Sequence, residues 1–165
     1  MQLNTGKITI VRADYANAAQ AQAIVALMDE YARGASGGGK ALSEDVKSNL
    51  VTALAHYTSA STLLAYCEGA PVGLLNAFET LSTFSARPLI NIHDVIVTEL
   101  RRGRGIARML FQSIEQHAVA RGCCKLTLEV LEGNDNAQKL YRDLGFAGYS
   151  LKEEFGQALF WQKLL

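Results

Sequence analysis

Three strand-length apolar runs follow one another in the middle of the chain, at residues 62–67, 72–80 and 89–98. Helix-length periodic segments stand on both sides of them. A chain built this way has to bury a sheet under helices, because each element has an apolar face that needs a partner layer. The first two runs flank "EGAP", which reads as a hairpin turn, and the third starts after Pro88. Ahead of them, residues 7–11 alternate as a strand. Asn17 and Gln20 form a capping box for a helix with Ile24, Leu27, Met28 and Tyr31 on one face, ending at Arg33-Gly34. Residues 34–42, "GASGGGKAL", read as a flexible loop. Ser43 caps a second helix, with Glu44 and Asp45 in its first turn and Val46, Leu50, Leu54 and Tyr57 as its apolar stripe.

After the third run comes a helix with Ile106, Leu110, Ile114 and Ala118 at i+4 spacing, stopped at Arg121-Gly122. "KLTLEV" is a strand presenting Leu126, Leu128 and Val130. Asn134 or Asp135 caps a last helix with Ala137, Leu140, Tyr141 and Leu144 inward and Gly145 at its end. Two more strands are expected at residues 147–149 and 157–164. The order βααβββαβαββ describes one α+β domain over residues 1–165. It has a mixed sheet of about seven strands between helices in α/β/α layers.

Lys plus Arg equals Asp plus Glu at 16 each, so formal net charge is zero. That argues against nucleic-acid binding, which needs a broad basic surface. Three cysteines, two of them adjacent at Cys123 and Cys124, make a poor disulfide framework, and no Cys/His spacing suggests a metal. The N-terminal residues are too polar for a signal peptide and no apolar run is long enough for a membrane. The expectation is a cytoplasmic protein with neither metal nor membrane partner.

Charge is concentrated at "ELRRGRGIARML", residues 99–110, where Arg101, Arg102, Arg104 and Arg108 crowd a helix start with Gly103 and Gly105. Glycine is a poor helix former and like charges a few residues apart repel. Glycines let the backbone curl so that N–H groups point inward, the helix start adds partial positive charge, and arginines neutralise a rim of phosphates. A solvated helix start is the other reading of the same stretch. A dinucleotide-binding turn fits less well, because Arg108 occupies the third glycine position. A P-loop at residues 34–41 lacks the hydroxyl that would ligate Mg²⁺, since Ala41 follows Lys40, and it follows a helix where that motif needs a strand.

A second motif joins the first. Arg102-Gly103-Arg104-Gly105-Ile106-Ala107 resembles the acetyl-CoA signature of the GNAT family of N-acetyltransferases. Asn134-x-x-Ala137-x-x-Leu140-Tyr141-x-x-x-Gly145-Phe146 resembles that family's second motif, one helix and one strand later. The element order is also similar over nearly the whole chain, which implies a mostly antiparallel GNAT-like sheet. "TLSTFSARPLINIHDVIV" is similar to the diamine and thialysine acetyltransferase branch, except that His93-Asp94 stands where those enzymes have Glu-Asp.

The resemblance implies acetyl-CoA as cosubstrate, bound by Arg102, Gly103, Arg104, Gly105, Ile106, Ala107 and Arg108. The fourth and fifth strands would splay so that the pantetheine arm pairs with the backbone edge of Val95, Ile96 and Val97. Backbone N–H groups there would also stabilise the thioester oxygen as it gains charge. Tyr141 takes the place of the family's general acid. A phenol ionising near ~10 can protonate a thiolate whose conjugate acid ionises near ~8.5. Asn134 resembles the amide that contacts the pantetheine arm, and an N-cap is its alternative role. His93 suits a base near neutrality and Asp94 suits a cationic amine. As strand neighbours they are expected to face opposite ways. Glu79 and Glu129 are acidic candidates without motif support.

The acceptor implied is a small-molecule primary amine. A protein or peptide N-terminus and a non-catalytic acetyl-CoA sensor are the alternatives, and the resemblance leaves a homodimer open.

Overall fold

The computed structural model describes residues 6–150, 154 and 156–164. The chain divides after Leu128 into two compact units. The first holds a five-stranded sheet in the order of the sequence: β1 (Ile8–Arg12), β2 (Ala60–Cys67), β3 (Ala70–Ser82), β4 (Arg87–Val97) and β5 (Leu126–Leu128). The first three pairings are antiparallel and β4–β5 is parallel, giving the mostly antiparallel sheet expected. Glu68 and Gly69, at φ +51° and +82°, make the tight turn between β2 and β3. Such a turn matches the twist of the paired strands.

Three helices cover this sheet. α1 (Ala18–Arg33) and α2 (Glu44–His56) start at the expected caps: Asn17 Oδ1 accepts from Ala19 and Gln20 N–H, and Ser43 Oγ from Val46 N–H. Ile24 and Leu27 of α1 and Leu54 of α2 pack with Leu64, Leu74 and Ile96 in one buried cluster. On α2 the expected stripe holds only in its middle, at Leu50 and Leu54. Val46 is 40% and Tyr57 65% exposed, because they lie at the first turn and the C-cap, beyond the contact with α1. Alternation along the strands sends Leu63, Ala65, Leu75 and Ala77 to the other face. There α3 (Ile106–Ala120) buries Ile106, Leu110, Phe111, Ile114 and Ala118. Gly73 marks a close approach: a Cβ there would stand 3.3 Å from Ile106 and 3.1 Å from the Ile96 carbonyl.

The glycine-rich stretch after α1 is folded rather than loose. A 3₁₀ turn (Ala35–Gly37) carries it back over the helix end. A side chain at Gly37 would run into the Tyr31 carbonyl. Leu42 N–H donates to Asp29 Oδ1 at 2.8 Å, and the other oxygen of Asp29 takes Arg33. Side-chain bonding from Arg33 is the main cause that holds the Asp29 carboxyl below its ordinary value.

The second unit contains α4 (Asp135–Asp143), capped by Asn134, whose Oδ1 accepts from Ala137 N–H at 3.2 Å. Its C-terminus closes as two backbone bonds, from Phe146 N–H to the Tyr141 carbonyl and from Gly145 N–H to the Arg142 carbonyl, with Gly145 at φ +88°. This double bond with a left-handed glycine is the Schellman closure. Its usual apolar contact is present as Tyr141 and Phe146, ring centroids 6.1 Å apart.

Two expectations are corrected here. Residues 147–149 and 157–164 do not form strands, so the described residues contain five strands rather than seven. A backbone bond runs from Ala158 N–H to the Tyr149 carbonyl, but no strand ladder forms between these segments among the described residues. The strand expected over "KLTLEV" stops at Leu128, and Val130 is 40% exposed instead of sharing its face.

Candidate active site

β4 ends in the residues singled out from sequence. It pairs with β5 at three positions, Ile90–Leu126, Asn91–Thr127 and Ile92–Leu128. The parallel ladder stops there. Val95, Ile96 and Val97 remain paired to Leu75, Leu74 and Gly73 of β3 on one side, and among the described residues they have no strand partner on the other. An unpaired strand edge exposes a row of backbone donors and acceptors. It is the opening that an extended ligand arm needs to add as a strand.

Following β4, a 3₁₀ turn (Glu99–Arg101) leads into the glycine-arginine stretch. Arg102 donates from Nε to the Val97 carbonyl at 3.1 Å, tying this turn to the end of the strand. Gly103 and Gly105 both adopt left-handed backbone, φ +73° and +76°, so glycine answers a conformational demand at both places. Gly105 is the N-cap of α3 and supplies no side-chain cap, and the first turn of α3 carries no acidic residue. The leading N–H groups of α3 therefore lack an internal side-chain acceptor. Arg101, Arg102 and Arg104 have no carboxylate partner among the described residues. A curled backbone, an uncapped helix start and three uncompensated guanidinium groups together fit a polyphosphate. Ile106 is buried beneath this turn, while Ala107 and Arg108 are half-buried.

His93 and Asp94 do not face opposite ways. Asn76 pairs with Asp94 and Ala77 pairs with Ile92, so His93 is an extra residue in β4. This β-bulge resets the alternation, which a plain strand would not do. His93 meets the ring of Phe78 edge-on, centroids 5.7 Å apart, and Phe78 in turn meets Tyr57 edge-on at 5.9 Å. Asp94 Oδ2 accepts from Asn76 Nδ2 at 3.0 Å. Phe78 and Asn76 lie two apart on β3, so both groups stand on the sheet face covered by α1 and α2. Burial pushes the Tyr31 phenol of α1 up, and the charge of Asp94 adds to that shift.

Beneath Asp94 runs a polar chain that sequence reasoning missed. Asn76 Oδ1 accepts from Thr62 Oγ1 at 2.6 Å, and Thr62 Oγ1 lies 3.0 Å from Tyr15 Oη. Thr62 and Asn76 are 1% and 3% exposed. A buried amide of this kind is kept because its bonds are satisfied, and here they fix the carboxylate. The visible signal was Asn76 itself, a lone amide in the apolar run "VGLLNAF". Asp94 has no cationic partner among the described residues, and is half-buried.

Asn134 and Tyr141 belong to the second unit. The Asn134 oxygen is used by the helix cap, and its amide NH₂ has no partner among the described residues. Tyr141 is half-buried on α4, on the side of its less exposed residues Ala137, Leu140 and Leu144. Glu79 is taken up elsewhere, forked to Arg121 at 2.9 Å through both oxygens. Glu129 is exposed.

Residues 24–146 match the sequence profile of the acetyltransferase (GNAT) family. A thialysine N-epsilon-acetyltransferase of Bos taurus is 36% identical over 64 residues, which is 39% of this chain and 37% of that enzyme's length. Among solved structures, a ribosomal-protein-alanine N-acetyltransferase from Brucella melitensis biovar Abortus 2308 superposes with a TM-score of 0.68 at 19% identity. That likeness covers 88% of this chain and 99% of the other. An aminoglycoside acetyltransferase from an uncultured soil metagenomic sample, in complex with sisomicin, superposes with a TM-score of 0.76 at 17% identity, covering 96% and 97%. At these identities the two solved structures are alike in fold, and their acceptors differ from one another.

Proposed function

The chain belongs to the acetyltransferase (GNAT) family, and from that premise we propose that it transfers the acetyl group of acetyl-CoA to a primary amine of a small molecule by direct attack on the thioester. The observation that carries this reading is the end of the β4–β5 ladder at Ile92–Leu128. It leaves Val95–Val97 with no strand partner on that side among the described residues, directly ahead of the left-handed glycines and uncapped start of α3. The family profile runs from residue 24 to 146, across the division after Leu128, which supports reading residues 1–165 as one acetyltransferase domain.

Acetyl-CoA supplies an acyl group already activated as a thioester. The turn Arg102–Arg108 holds its phosphates, with Gly103 and Gly105 letting the backbone approach. Backbone N–H groups of Val95–Val97 take the charge that develops on the thioester oxygen. Asp94 holds the incoming ammonium, an assignment supported by its lack of a cationic partner among the described residues. His93 accepts the amine proton at its imidazole nitrogen, since an imidazole is suited to proton transfer near neutral pH. Tyr141 returns a proton from its phenolic oxygen to the departing sulfur, and the Asn134 NH₂ contacts the pantetheine arm. The small-amine acceptor rests on the partial match to the thialysine enzyme and on the bulge that puts His93 and Asp94 on one face.

The test is thiol release from acetyl-CoA with a panel of small diamines, amino acids and peptide N-termini. Release dependent on small amines supports the reading. Release with peptides alone makes a peptide N-terminus the acceptor, and binding of acetyl-CoA without release by any amine makes the chain a sensor.

A further inference from the structure

The first unit has a second concavity, on the sheet face that α3 covers. It encloses about 180 Å³ between the ends of four elements: Arg12 closes β1, Ser61 stands on β2, Glu79 on β3, and His117 in the last turn of α3, with Ser59 and Arg121 at the rim. α3 has 15 residues and begins at the glycine-arginine turn, so its last turn is about 20 Å from that turn.

The lining is polar and its charge does not cancel. Both oxygens of Glu79 are bound by Arg121 at 2.9 Å, so this pair is complete within itself. Arg12 has no carboxylate partner among the described residues. Its Nη2 donates to Ser61 Oγ at 3.1 Å, and the rest of its guanidinium fork has no other partner among the described residues. Two arginines against one glutamate leave one positive charge uncompensated in the cavity. His117 registers the excess: burial first, then the charges of Arg12 and Arg121, hold its imidazole below the ordinary value. A guanidinium fork with a free side, an adjacent imidazole and serine hydroxyls are the donors that planar or tetrahedral oxyanions use.

We propose that this cavity binds a small oxyanion, a phosphate or a short carboxylate, on the free side of Arg12 with His117 and Ser61. An anion there neutralises the local charge and joins β1, β2 and α3. The site is independent of the acetyl-transfer reading.

The full chain is titrated with inorganic phosphate and, separately, with succinate at constant ionic strength, following the ring resonances of the three histidines by NMR. Assignment uses His117→Gln. The expected result is a saturable shift of the His117 resonances and an upward move of its titration midpoint, with His56 much less affected. Arg12→Gln, at an exposed position, removes the response at least tenfold in affinity. If circular dichroism shows that variant unfolded, Ser61→Ala takes its place and weakens binding at least threefold. A response to phosphate alone or to succinate alone identifies the source, and a response to both supports the shared chemistry. No saturable response of His117 to either anion, or an equal response in the folded variant, overturns the proposal.

Discussion

Asn76 donates to Asp94 across the β3–β4 ladder at 3.0 Å, and Thr62 donates to the same amide from below at 2.6 Å. The carboxylate is thereby fixed in direction without being neutralised. If Asp94 holds the ammonium, Asp94→Asn raises the KM for the amine by about tenfold or more while the Kd for acetyl-CoA stays within about twofold. A lost charge-assisted hydrogen bond of about 1.5–3 kcal/mol corresponds to that range. Steady-state kinetics with isothermal titration of acetyl-CoA separates the two. Equal losses in both would mean that Asp94 supports the sheet rather than the acceptor.

His93 is exposed on a bulge, held by ring contact with Phe78. If His93 is the base, His93→Gln leaves the melting temperature nearly unchanged but removes the limb that reports the general base from the pH profile of kcat/KM. A profile that keeps that limb excludes His93 as the base.

Tyr141 has two separable duties, the ring contact that closes α4 and the proposed proton donation. Tyr141→Phe keeps the ring against Phe146 and removes the hydroxyl. Turnover is expected to fall about a hundredfold, within the range for general acid–base groups, with little change in melting temperature. Tyr141→Ala loses the ring contact as well and melts lower. Unchanged turnover in Tyr141→Phe reduces the residue to its helix-closing role.

Gly105 stands at φ +76° with open space where a Cβ would be, so the demand there is conformational rather than steric. Gly105→Val strains the start of α3, since β-branched residues resist left-handed backbone. If the turn holds acetyl-CoA, wild-type protein is expected to gain about 2.7 kcal/mol from it at a hundredfold excess over Kd. The variant is expected to lose most of this gain in a thermal melt. A melt that responds to NADH or ATP but not to acetyl-CoA defeats the assignment of the turn.

Acid is expected to destabilise this fold in two stages. Burial, helped by Arg12, holds the His117 midpoint below its ordinary 6.5. The unfolded chain therefore binds that proton first, and stability falls as pH drops below 6.5 until the folded-state midpoint is passed. Glu79 and Asp29 are lowered from 4.5 and 3.8 by bonding to Arg121 and Arg33. Their contribution is full above those values and is lost as pH falls through the lowered ones. Denaturant midpoints measured from pH 8 to 3 show both stages, and His117→Gln removes the first.

What the residues determined alone is what depends on near neighbours in the chain. Asn17, Ser43 and Asn134 cap helices because a cap reaches two or three residues forward. Gly145-Phe146 closes α4 for the same reason, and Gly103 and Gly105 announce left-handed backbone wherever they lie. The element order as far as α4 and the stripe of α3 were legible in this way. Tertiary structure decided what depends on two strands at once. The bulge at His93 exists only in the register of β4 against β3, so no alternation read along β4 alone could bring His93 and Asp94 to one face. The loop at residues 34–42 looked free from its glycines, yet it is held by Asp29, thirteen residues before Leu42. Residues 147–149 and 157–164 have strand composition, but a ladder needs repeated bonds from a neighbour, and no such ladder forms among the described residues. The end of the β4–β5 ladder at Ile92 is likewise a property of two segments more than thirty residues apart, which no reading along either segment alone could fix.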